Sequence, residues 1–266
     1  MPSFPVSIAT LSLLQAALVA LPRARPAGWV ESLRSRWWAV IPAGSIVVVI
    51  AIVAATPGSA TALSYLALIA CPPLAAVALG WLIWGSRPAW ALAAIPLFAL
   101  AWVSRGALAG EAAAAAVSSL ACVTLGWILA SAVPGPWLRW GIYAMAAIDT
   151  IFVTAELLQG PNAVLTAAAP GAELPRLQVI AFGSARMGFG DVFVAATTGC
   201  LLAVERPRQL TAAGLAAVLG LGFDLLFFVL DTLPSTVPVA VALALTQRLV
   251  PEGLEAEDAV RSRRPG

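Results

Sequence analysis

The sequence predicts an all-α, polytopic membrane protein, and three observations carry that prediction. Hydrophobic residues make up 61% of the 266-residue chain and charged residues only 11%, a balance outside the range of soluble domains. Apolar runs long enough to cross a bilayer core as a helix, about 20 residues each, recur nine times. Tryptophans cluster near the ends of those runs (Trp37, Trp38, Trp84, Trp90, Trp137 and Trp140), where an interfacial aromatic belt would place them.

The nine predicted transmembrane segments are 4–21, 37–55, 61–84, 88–103, 112–133, 140–158, 187–204, 210–230 and 233–249. The first has no basic residue before it, and Arg23 and Arg25 follow just after it. A cleaved signal peptide shows the reverse order, so this segment reads as a retained anchor. Twelve of the fifteen arginines fall in the loops after segments 1, 3, 5 and 7 or in the C-terminal stretch. Arg105, Arg176 and Arg186 fall on the opposite side. The positive-inside rule then puts the N-terminus outside and the C-terminus in the cytoplasm. Residues 1–249 read as a single membrane domain, with segments 1–5 in 1–139 and segments 6–9 in 140–249. The tail 250–266 mixes four acids with three arginines and reads as a disordered cytoplasmic segment. No internal repeat is visible.

The residue inventory excludes several kinds of chemistry. There is no histidine, and every basic residue is an arginine. That removes HExxH zinc proteases, Ser-His dyads and any imidazole base, together with Ser-Lys dyads and Schiff bases. Cys71, Cys122 and Cys200 lie inside apolar runs at spacings that suit no metal site, and read as small packing residues. A net charge of +2 gives no sign of nucleic-acid binding. Acid–base work must therefore rest on carboxylates.

Four acids lie in or beside the apolar segments: Asp149, Glu156, Asp191 and Asp224. An ionisable group at membrane depth is expensive and points to function by default. The alternative is a carboxyl tied to a backbone or hydroxyl partner that holds helices together. Asp149 sits in the middle of segment 6, in "YAMAAIDTIFVTA", and Asp191 lies near the start of segment 7. Measured from the outer face, their depths are about 14 Å and about 6 Å at ~1.5 Å per residue. A modest shift of one helix, or a later start to its span, brings them level. Two such carboxylates share one proton and titrate as a unit. One can take a proton from water while the other donates to a carbonyl oxygen, with no metal or cofactor.

Two further features fit that picture. Gly188 and Gly190 flank Phe189 just before Asp191, and would let an extended peptide approach the acid or let helices pack closely. In "DTLPSTVPVAVALAL" (231–245), Pro234 and Pro238 interrupt the start of segment 9 and free backbone groups on the same face. Glu156 reads as a water-exposed acid at the outer end of segment 6. Asp224 reads as a satisfied structural acid.

With "IDTIFV" around Asp149, "MGFGD" ending in Asp191 and "LPSTVP" at segment 9, the sequence resembles the presenilin and signal peptide peptidase family of GxGD intramembrane aspartyl proteases, as a prokaryotic-type member. The resemblance covers residues 140–249. It implies nine transmembrane helices, a catalytic pair of Asp149 and Asp191, and a Pro-Ala-Leu-like element opening the last helix. That element reads Pro234-Ser235-Thr236 or, in the other register, Pro238-Val239-Ala240. Gly188, Phe189, Gly190, Pro234, Ser235, Thr236 and Pro238 are then the implied substrate-binding residues. Strand-like structure in "LQVIAFGSARM" ahead of segment 7 is implied as well. The implied substrates are transmembrane helices or signal peptides of type II orientation, met in a prokaryotic cytoplasmic membrane; a homo-oligomer is left open. The family's tyrosine before the first aspartate is Ile148 here.

Three other readings stay open. Prepilin peptidases also use two membrane aspartates, but carry a lysine where this chain has Phe193, and act at the cytoplasmic face. A proton- or cation-coupled transporter would also use paired acids and broken helices near the midplane. An inactive homologue would keep the bundle without the chemistry.

Overall fold

Uncharged runs of Ala, Leu and Val offer few side-chain groups that compete for backbone hydrogen bonds, so the backbone satisfies itself along the helix. The structure, a computed structural model, describes residues 2–249 except 26–27, 57, 84–86, 158, 169 and 172. It is mostly helical, with ten α-helices and one two-stranded hairpin among the described residues. The helices are α1 (Phe4–Ala20), α2 (Ile41–Ala55), α3 (Ser59–Val77), α4 (Ala94–Val103), α5 (Leu108–Ala132), α6 (Gly135–Thr154), α7 (Gln159–Ala167), α8 (Phe189–Leu202), α9 (Arg206–Asp224) and α10 (Val237–Leu249).

Each of the nine predicted segments overlaps one of these helices, and α7 is an addition in the connection before the hairpin. Four stretches, Arg36–Ala55, Ser59–Leu82, Leu108–Ala132 and Arg206–Phe228, are long and apolar enough to cross a membrane. The other apolar helices are shorter than their predicted runs for local reasons. Segment 4 enters through a 3-10 turn at Pro88–Ala93. Segment 9 becomes helical only at Val237, because Pro238 has no N–H and belongs in a helix's first turn. Segment 6 is displaced rather than shortened: α6 runs from Gly135 to Thr154, and Glu156, beyond it, is exposed with a positive φ of 57°.

Packing centres on α5, which lies against α3, α4 and α8, while α1 packs on α8 and α9. Backbones meet directly at two glycines. A Cβ on Gly126 of α5 would lie 2.9 Å from the Thr197 backbone, and one on Gly199 of α8 would lie 2.5 Å from the Leu18 carbonyl oxygen. Small residues give apolar helices this close contact, which is what holds them together in a solvent as apolar as leucine. Large apolar side chains face outward instead, among them Val48, Ile52, Leu66, Ile69 and Val218.

Trp37, Trp38, Trp90, Trp137 and Trp140 are exposed, and the Arg36 guanidinium lies 5.3 Å and 5.8 Å from the Trp37 and Trp137 ring centres. Trp84 and the tail 250–266, with Arg261, Arg263 and Arg264, lie outside the described residues. Cys71, Cys122 and Cys200 are buried thiols.

The all-α expectation needs one amendment. β1 (Val179–Phe182) and β2 (Ala185–Gly188) form an antiparallel hairpin immediately before α8, with Ile180 opposite Met187 and Ala181 opposite Arg186. Met187 and Gly188, expected inside segment 7, therefore belong to a strand. Alternation buries Ile180, Ala185 and Met187 on one face and leaves Arg186 on the other. Glu111 and Ser7 hold the turn: the Gly183 N–H donates to Glu111 Oε2 at 2.7 Å, and the Ser184 N–H to Ser7 Oγ at 3.3 Å.

Candidate active site

Two of the helix ends set the depth of the acids. Asp149 lies five residues before the end of α6, and Asp191 is the third residue of α8. The earlier end of α6 brings Asp149 nearer that face by more than the later start of α8 does Asp191, so their offset falls to about 4.5 Å along the axes. The helices pack on each other. The contact between them runs through Gly190, where an added Cβ would sit 3.1 Å from the Met145 methyl. Met145 is one helical turn before Asp149 and so shares its face. Gly190 is thus a close helix-packing position beside the acid pair.

Each carboxyl has a fixed partner. Asp149 is 6% exposed, and the Thr236 hydroxyl donates to its Oδ2 at 2.6 Å. Asp191 turns back on its own helix start, where the Gly188 N–H donates to Asp191 Oδ2 at 3.0 Å. That N–H belongs to the capping residue of α8, and an acid in the first turn suits the helix dipole. A side chain on Gly188 would crowd this bond, since its Cβ would lie 3.1 Å from the same oxygen.

The stretch before α10 completes the cluster. Pro234 and Thr236 are buried and Pro238 lies in the first turn of α10. Of the two registers, the structure brings Pro234-Ser235-Thr236 to Asp149. Phe189 is half-buried and packs on the core. Asp224 lies apart: its Oδ1 accepts from Ser12 Oγ at 3.0 Å, while its buried Oδ2 has no partner among the described residues, so the acid is half satisfied.

Sequence reasoning missed Gln15. This α1 residue is 3% exposed, and its amide Nε2 donates to the Asp191 carbonyl at 3.3 Å and the Ser235 carbonyl at 3.2 Å. It therefore ties α1 to the element that carries one acid and to the segment that holds the other. The Ser235 carbonyl precedes α10 and has no place in its helical ladder, so Gln15 fills a need the prolines create. The available signal was an amide in an otherwise apolar run, three residues from Ser12 on the same face.

Two carboxyls in one apolar bundle, each with an oxygen held by a rigid donor, can divide a single proton and act on a water between them. A comparison of the chain with protein-family models, curated proteins and solved structures finds no match.

Proposed function

We propose that this protein is an intramembrane aspartyl protease whose nine apolar segments cross the membrane, N-terminus outside, and whose Asp149 and Asp191 hydrolyse peptide bonds in type II transmembrane helices or signal peptides. The observation that carries the reading is that two acids sit on helices packed against each other, with Thr236 and Gly188 each donating to one of them. The resemblance of "IDTIFV", "MGFGD" and "LPSTVP" to the GxGD proteases supports it.

In this mechanism the ionised carboxyl takes a proton from water, whose oxygen attacks the peptide carbonyl carbon. The protonated carboxyl donates to the carbonyl oxygen, giving a neutral tetrahedral diol. Collapse returns a proton to the carboxyl pair and delivers one to the departing amine, so the enzyme ends in its starting state. Thr236 and the Gly188 N–H keep the two carboxyls in place. The exposed edge of the hairpin, running straight into Asp191, offers backbone groups to an unwound substrate strand.

The test is cleavage of type II reporter helices in proteoliposomes. Asp149→Asn and Asp191→Asn, which keep size and remove the acid, are each expected to lower the rate at least about 1,000-fold while leaving the melting temperature near that of the wild type. Cleavage by either folded variant at the wild-type rate sinks the reading. Proton-driven solute uptake without cleavage would move the protein to the transporter class.

A further inference from the structure

Three arginines stand apart from the arginine-rich connections, and the fold collects all three around one hollow. Arg105 comes from the α4–α5 connection, Arg176 from the stretch before β1, and Arg186 from the outward face of β2. They line a cavity of about 460 Å³, a size in the range of small-molecule sites. Guanidinium groups gathered from three separate elements form a cluster of like charge that an anion can bridge.

Glu111 is the one carboxylate on the lining, and its Oε2 already accepts the Gly183 N–H. Arg105 spends one N–H on the Glu173 carbonyl, which fixes its position across the mouth. Among the described lining residues, three arginines thus stand against one carboxylate. Beside it, the same α4–α5 region exposes a band of large apolar side chains: Trp102 at 44%, Val103 at 85% and Leu108 at 39%. A soluble anion needs the guanidiniums alone. A lipid needs both the guanidiniums and an apolar flank, with an indole at headgroup level.

We propose that this cavity binds the phosphate of an anionic phospholipid headgroup, with the acyl chains lying along Trp102, Val103 and Leu108. Arginine suits the role because its planar fork donates to two phosphate oxygens at once. A headgroup there ties the α4–α5 connection to the hairpin. The site is independent of the protease reading and stands whether or not the acids are catalytic.

The experiment is native mass spectrometry of the purified full chain in detergent, with phosphatidylglycerol or phosphatidylcholine added at equal concentration. Wild type is expected to retain phosphatidylglycerol at least about tenfold better than phosphatidylcholine. The Arg176→Gln/Arg186→Gln variant is expected to lose that preference, and Arg176→Lys/Arg186→Lys to recover part of it, since charge returns without the fork. Melting temperature without added lipid checks that the variants are folded. Should the double variant unfold, Arg186→Gln alone, at an exposed strand position, carries the comparison.

Equal retention of the two lipids by wild type overturns the proposal, as does undiminished phosphatidylglycerol retention by a folded variant. Inorganic phosphate raising the melting temperature as far as phosphatidylglycerol does would make this a soluble-anion site and also overturn it. So would preferential binding of a soluble acidic peptide, which would assign the cavity to a protein partner.

Discussion

Helices α5 and α2 are both apolar, yet the fold uses them in opposite ways. In the most apolar stretch of α5, 67% of residues are buried by other helices; in Arg36–Ala55, which contains α2, the figure is 17%. Greater hydrophobicity does not bring burial, since the less buried stretch is the more apolar of the two. Residue size separates them: α5 buries Gly110, Ala113, Ala115, Ser118, Ala121 and Cys122 among its contacts, whereas α2 turns Val47, Val48 and Ile52 outward. Where the surroundings are as apolar as the side chains, close packing of small residues decides which helix goes inside.

Substitutions in the two regions should differ accordingly. The largest effect is expected for Gly126→Leu, which drives a side chain into the Thr197 backbone and should cost about 3 kcal/mol in reversible unfolding in detergent. An unchanged unfolding midpoint would show that the α5–α8 seam is looser than described. Next comes Gln15→Leu, similar in size but unable to donate. It leaves the Ser235 carbonyl without its partner and should cost about 2 kcal/mol, with a fall in kcat larger than any change in KM if the acids are catalytic. Thr236→Val removes one hydroxyl from Asp149 at nearly constant shape. About 1 kcal/mol is expected in the same unfolding measurement, and a proportionate loss with Asp149→Asn already present would show that the two residues do not interact. The smallest effect belongs to α2: Val48→Ala should stay within about 0.5 kcal/mol. A Val48→Ala penalty matching that of Gly126→Leu would dissolve the contrast between the regions.

The same contrast explains what could be read from the sequence. Apolar runs announce helices, and a helix overlaps every predicted segment. Their ends are set by local chemistry that composition blurs. Pro238 delays α10 to Val237, the hairpin takes Met187 and Gly188 from segment 7, and α6 stops at Thr154, the change that leaves the acids more nearly level than the run lengths suggested. Asp149 and Asp191 were legible because a carboxylate in an apolar run is conspicuous. Thr236 was half-legible: two proline registers fitted equally, and its bond to Asp149 depends on how α10 meets α6. Gln15 was not legible as part of the site, since its partners lie 176 and 220 residues away and nothing local specifies them. The hairpin came from the resemblance alone, because four-residue strands carry too short an alternation to stand out among helices.

The reach of Gln15 also has a consequence in time. During synthesis α1 is made long before residues 191 and 235, so its amide begins without the partners it has in the finished fold. Those partners arrive only with α8 and the segment before α10. The contacts that close the bundle are thus among its most distant in sequence, the kind that form slowly. The acids are drawn into a shared frame only when the last helix docks, which keeps a half-made chain from presenting a finished site.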